Sequence, residues 1–165
     1  MKHSFIFVLY IAFFFGCHRP CDINNNLQFA DGLTVYNATD MSASYGPGEN
    51  DFFINGHVGN VAIKIRLPYT ELHDDGVTTF TLGTEGTGNS HTAWVRFDDN
   101  FGQITTSPDD LVTDATHTGT LTITEFGKRK LCISGEFSFD AMRENSTQVI
   151  HISGGKFGMN YTLRK

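Results

Sequence analysis

The sequence predicts an all-β domain: an antiparallel β-sandwich or flattened barrel of about nine to ten strands ending in a C-terminal hairpin, with a calycin-like barrel as the alternative. Three observations carry this. Apolar residues recur with a period of two in short runs rich in Val, Ile, Thr and aromatics. Between the runs lie clusters of Gly, Asn, Asp and Ser, such as "ELHDDGV" and "FDDNFG", whose side chains and φ freedom suit turns. Helix signals are scarce and confined to a turn or so around Leu72 or Leu111.

The first segment stands outside this pattern. Lys2 and His3 precede an apolar run from Phe5 to Phe15, closed by Gly16 and Cys17. About eleven apolar residues are too few for a transmembrane helix, which needs roughly 20, and the small-residue ending is that of a secretory signal. "FFGC" resembles a bacterial lipobox, with Phe14 where leucine is usual, so residues 1–16 read as a lipoprotein signal peptide and Cys17 as the lipidated residue. An ordinary secretory signal with an incidental cysteine is the alternative. Residues 17–26, "CHRPCDINNN", are polar and aperiodic and read as a tether, leaving 27–165 as a single β-domain.

Within that domain, "LTVYNAT" at 33–39 and "DFFINGHV" at 51–58 fit the strand pattern loosely. The clearest strand is "VAIKIRLP", where Val61, Ile63, Ile65 and Leu67 alternate with Ala62, Lys64 and Arg66 until Pro68 ends it. "VTTFTLG" groups Thr78, Phe80 and Leu82; "TAWVRF" groups Ala93, Val95 and Phe97; "GTLTITEF" groups Leu121 and Ile123. "LCISGEFSFDA" puts Leu131, Ile133, Phe137, Phe139 and Ala141 on one face, with Gly135 at a core-facing position that has no side chain. Such a glycine marks a bulge, a bend or a close neighbour. In the last segment Ile150 and Ile152 face inward, Gly154 and Gly155 interrupt as a bulge, and Phe157, Met159, Tyr161 and Leu163 resume. "MRENSTQ" between the two permits an antiparallel hairpin.

These last strands carry a resemblance. Ile133, Ser134, Gly135, Phe137, Ser138 and Phe139 match an I-S-G-x-F-S-F strand, and Gly155, Phe157 and Tyr161 match a following G-x-F strand with a tyrosine near the terminus. Both are similar to the small uncharacterised lipoproteins of Bacteroidota built from a single domain of unknown function. "ADGLTVYNAT", with Tyr36 in a tryptophan position, and "GTLTIT" fit as well, over about 135 residues. Tyr36 and Cys132 are the departures. The resemblance implies a lipid-anchored β-domain of the Gram-negative envelope and no catalytic residue.

Composition narrows the function. Twelve Lys and Arg stand against 18 Asp and Glu, a net charge of -6, and the longest basic stretch is "GKRK" at 127–130, which suits a solvated turn. Nucleic acid is therefore excluded as an expected partner, since its binding rests on clustered positive charge. The histidines at 18, 57, 73, 91, 117 and 151 form no H-x-H or H-E-x-x-H unit, so no metal and no cofactor is expected. Asp74 and Asp75, Asp98 and Asp99, and Asp109 and Asp110 pair within turns without a calcium-loop pattern. Ser134 and Ser153 follow isoleucine, whereas a nucleophilic serine elbow needs G-x-S-x-G between strand and helix. Glu136 offers glycoside hydrolysis one carboxylate and no partner at a defined distance. Cys21 and Cys132 are a candidate disulfide in an exported protein, a free Cys132 being the other reading.

The candidate ligand-binding residues are aromatic. Trp94 projects from the face opposite Val95 and Phe97, and Tyr36 from that opposite Leu33 and Val35. An exposed ring beside polar groups can stack on a sugar, although a covering loop would bury it. The expectation is thus a non-enzymatic binding or structural lipoprotein held to the outer membrane by its N-terminal lipid. Because His18, Arg19 and Pro20 follow Cys17 where acidic residues would mark surface export, it is expected to face the periplasm, with the cell surface as the alternative. A small-ligand or glycan carrier with a calyx or an aromatic face at Trp94 and Tyr36 is the second expectation, and a hydrolase the third; besides the membrane, a glycan or an envelope protein is the expected kind of partner.

Overall fold

The computed structural model describes residues 23–46, 50–74, 76–83, 91–97, 110–143 and 146–164. The signal at 1–16, Cys17, His18, Cys21, Asp75, Asp98, Asp99 and Asp109 lie outside them. The described residues are all-β. The strands are β1 (Asn26–Asp31), β2 (Thr34–Asn37), β3 (Asp40–Gly46), β4 (Asp51–Val58), β5 (Val61–Pro68), β6 (Thr78–Leu82), β7 (Thr92–Phe97), β8 (Leu111–Val112), β9 (Gly119–Gly127), β10 (Cys132–Arg143) and β11 (Val149–Leu163). The eleven strands among the described residues exceed the nine or ten expected because β8 is only two residues long, too short to show alternation. The helical turn foreseen near Leu72 is a 3-10 turn at Tyr69–Glu71, and Leu111 is strand.

The strands form one mixed sheet in the order β2-β1-β11-β3-β4-β5-β7-β8-β10-β9-β6, and β10 also pairs with β11. That extra pairing closes a ring through β11, β3, β4, β5, β7, β8 and β10, from which β1–β2 and β9–β6 branch. The arrangement is a flattened sandwich and not a regular barrel. The two longest strands make the corners. β10 pairs with β9 through most of its length and with β8 only at Met142 and Arg143. β11 pairs with β1 up to Gly158 and then with β3 at Tyr161, Thr162 and Leu163. The β3–β11 pairing is parallel, the exception to the antiparallel scheme the sequence predicts.

Both arms of the ring point their apolar rows inward to one continuous cluster that includes Phe29, Phe52, Ile54, Ile63, Ile65, Phe126, Phe139, Ile152 and Tyr161. Each fully buried Ile, Leu or Phe contributes about 1.5–3 kcal/mol against exposure. The interior of the ring is thus lined by apolar side chains.

The two glycine-bearing strands solve a packing problem reciprocally. In the β10–β11 register Gly135 faces Phe157 and Phe137 faces Gly155. Antiparallel pairing of two G-x-F segments puts each ring over the other strand's glycine. A Cβ at Gly155 would collide with the Phe137 ring, and one at Gly135 with Phe157 and with the Thr122 carbonyl oxygen. Next to them, Gly154 adopts φ 59° where the register slips between Phe137 and Phe139, the bulge the sequence predicts.

Two inward assignments are corrected. Leu33, in the turn before β2, is 102% exposed and Val35, on β2, is 56% exposed, while Tyr36 turns inward and stacks on Phe29 with ring centroids 5.1 Å apart. The two-residue turn Gly32–Leu33 sets this register, placing Asp31 opposite Thr34 and Phe29 opposite Tyr36. Leu163 is 53% exposed because the end of β11 has left the core to pair with β3.

Candidate functional site

Pro68, with no N–H to donate, ends β5, and the chain turns through Tyr69–Glu71. Asn50 fastens that turn: the Tyr69 N–H donates to its carbonyl oxygen at 2.9 Å, and its side-chain amide donates to Thr70 Oγ1 at 3.1 Å. Glu71 is thereby held facing His91, which precedes β7 and whose carbonyl accepts the Gly83 N–H at 2.9 Å. His91 Nε2 lies 2.8 Å from Glu71 Oε2, and the imidazole packs against Phe80 with centroids 4.9 Å apart. Carboxylate and aromatic ring together fix the orientation of the imidazole.

This pair sits in a groove of about 530 Å3 lined by Thr70, Glu71, His73, Thr78, Thr79, Phe80, Thr81 and His91. Side chains of a strand alternate between faces, so four consecutive residues of β6 can line one groove only if it runs along the strand's edge. β6 ends the sheet order, paired with β9 alone among the described residues. On its outward face Thr79 Oγ1 is 3.2 Å from Thr122 Oγ1. The groove thus offers hydroxyls, a carboxylate, an imidazole and one side of an edge strand. Sequence reasoning missed it, because Glu71 and His91 are 20 residues apart with turns on either side. The only signal was the hydroxyl-rich "VTTFT".

The aromatic candidates are not brought together. Trp94 lies on the outward face as expected, in register with Lys64, Asn55 and Ser42, but it is only 7% exposed. Lys64 Nζ stands 5.2 Å from the Trp94 ring centroid and 4.5 Å from that of Phe53, which also carries the Arg164 guanidinium at 5.1 Å. Burial first, then Arg164 and Arg66, lowers the Lys64 pKa below its ordinary value. Nearby, Arg66 Nε is 2.9 Å from Asp51, and Arg96 grips Asp110 with both Nε and Nη2, the latter at 3.0 Å. Tyr36 is on β2, at the far edge of the sheet order, where its hydroxyl donates to Asp31 Oδ2 at 2.8 Å. Burial, then that carboxylate, raises its pKa.

The remaining candidates are separate. Glu136 meets Lys156 at 3.3 Å on an exposed surface, and Asp74 accepts the Lys128 N–H at 2.6 Å. His117 bonds Asp114, whose pKa its side-chain hydrogen bond lowers, and His151 pairs with Asp140. Among the described residues no three His, Cys, Asp or Glu gather as a metal site. Cys132 is buried and disulfide-bonded.

Fold and groove together define an all-β sandwich-like domain with a polar groove along one edge strand. The chain belongs to the family described as Domain of unknown function (DUF6252), whose model matches residues 24–159. No curated protein and no solved structure matches it significantly.

Proposed function

We propose that this protein is a lipid-anchored envelope lipoprotein of the Bacteroidota type that works by binding and not by catalysis, and that its ligand is an extended segment of an envelope partner laid along β6. The observation that carries this is the groove beside an edge strand, lined by Thr78, Thr79, Phe80 and Thr81 in succession. An edge strand presents unpaired N–H and C=O groups, and an extended peptide adds to it by main-chain hydrogen bonds. The Glu71–His91 pair and the threonines supply side-chain contacts alongside.

The test is photo-crosslinking in cells from position 79 or 81 of the full lipoprotein. A discrete protein adduct at both positions, absent from position 33 on the opposite edge, is expected; adducts equal at all three overturn the reading. A small-ligand or glycan carrier is the second reading, favoured by the hydroxyl and carboxylate lining. Binding on a glycan array, lost in Glu71→Gln, would replace the peptide with a sugar. For the anchor, the "FFGC" ending of the apolar run supports Cys17 lipidation, and His18, Arg19 and Pro20 after it, where acidic residues would mark surface export, support a periplasm-facing outer-membrane location. Globomycin should block maturation, whereas a Cys17→Ala protein that is still processed and membrane-bound overturns the anchor. Protease shaving of intact cells distinguishes periplasm from surface.

A further inference from the structure

Cys132 opens β10, and its side chain belongs to the outward row with Ser134 and Glu136, because Ile133, Gly135 and Phe137 point inward. Its cross-strand neighbour on β11, Asn160, is exposed, as that row requires. Cys132 nevertheless has 0% exposure and stands outside the continuous core cluster. Cys132 is disulfide-bonded, and the sequence has two other cysteines, at 17 and 21.

We propose that the partner is Cys21, and that this bond straps the N-terminal tether across the outer face of β10 and β11 while leaving the Cys17 sulfur to the lipid; this last clause rests on the anchor proposed above. β1 runs antiparallel to β11 with Asn26 opposite Gly158, so the chain before Asn26 heads towards the level of Asn160, where Cys132 lies. Cys132 is two strands across and two residues along from Asn26, about 12 Å from strand spacing and rise. Asn25 has φ 44°, which bends the chain off the strand line. The five residues from Cys21 to Asn26 reach up to about 17 Å, enough to bring the two Cα atoms within the roughly 4.4–6.8 Å a disulfide needs.

The bond forms by exchange. One cysteine thiolate attacks a disulfide of an exported thiol oxidoreductase, displacing one of its thiols, and the second cysteine then resolves the mixed disulfide. The chain loses two protons and two electrons, and the donor disulfide becomes two thiols. With the strap made, the free tether shortens to the residues between Cys17 and Cys21, at most about 14 Å of extended chain. The domain then sits against its anchor with the start of β10 nearest the membrane.

The experiment is maleimide labelling and non-reducing peptide mapping of the full chain after export. A linked pair of peptides carrying Cys21 and Cys132 is expected. In Cys21→Ser, Cys132 should react with maleimide in denaturant without reductant, whereas in Cys17→Ser it should stay blocked. A Cys17–Cys132 link overturns both the strap and the anchor. A free Cys132 thiol in exported, lipidated protein overturns the strap alone, and a Cys21–Cys132 link in unlipidated protein overturns the anchor alone.

Discussion

Gly135 and Gly155 occupy equivalent places in their strands, yet they should respond differently to the same methyl group. At Gly155 the nearest atoms to an added Cβ belong to the Phe137 ring, which a smaller side chain would vacate. At Gly135 the nearest is the backbone oxygen of Thr122, which is fixed by the sheet. Gly155→Ala should cost about 1–3 kcal/mol through overpacking, and most of that should return in the double variant with Phe137→Leu. Gly135→Ala should cost more, and Phe157→Leu should not recover it; urea denaturation of the four variants checks the pattern. Lys64 permits a test by pH. Its lowered pKa means that the folded state binds this proton less tightly than the unfolded state, so the group's contribution to stability rises with pH from the lowered pKa towards 10.5. The melting temperature of the wild type relative to Lys64→Met should therefore climb over that window, and parallel curves would refute the assignment.

At the scale of elements, the strands with strict alternation were legible because their two faces differ in polarity: β5 runs Val61 to Pro68 as the sequence predicts, with Val61, Ile63, Ile65 and Leu67 all buried. β2 was misread since its turn, and not its composition, sets the register. Leu33 sits at the tip of a two-residue turn, so Leu33→Lys should change stability by less than about 0.5 kcal/mol. Tyr36→Phe, which removes the hydrogen bond to Asp31, should cost about 0.5–1.5 kcal/mol. Thermal denaturation of the two separates the readings, since an inward Leu33 would reverse their order. The β10–β11 hairpin was legible down to its bulge, but the reciprocal seating of the phenylalanines was not, because it depends on register. The groove was illegible for a similar reason: the Tyr69–Glu71 turn and the segment before β7 meet only through the fold.

For the whole molecule, closure of the ring depends on short contacts. β8 supplies two residues between β7 and β10, and the Arg96–Asp110 pair clamps the chain where it enters β8. The pair is largely buried, so Arg96→Ala should cost about 3–5 kcal/mol. Hydrogen exchange should quicken in β7, in β8 and at the end of β10 before it does in β1, whose ties are to β2 and β11. The opposite corner rests on three residues at the end of β11, which lie parallel to β3. This gives the last strand an unusual place in time. β1 and β3 are made early, and both pair with β11, so neither can complete its bonding until β11 has been made. Such distant pairings fold slowly. Losing Tyr161, Thr162 and Leu163 would therefore undo a corner of the ring instead of merely trimming a strand.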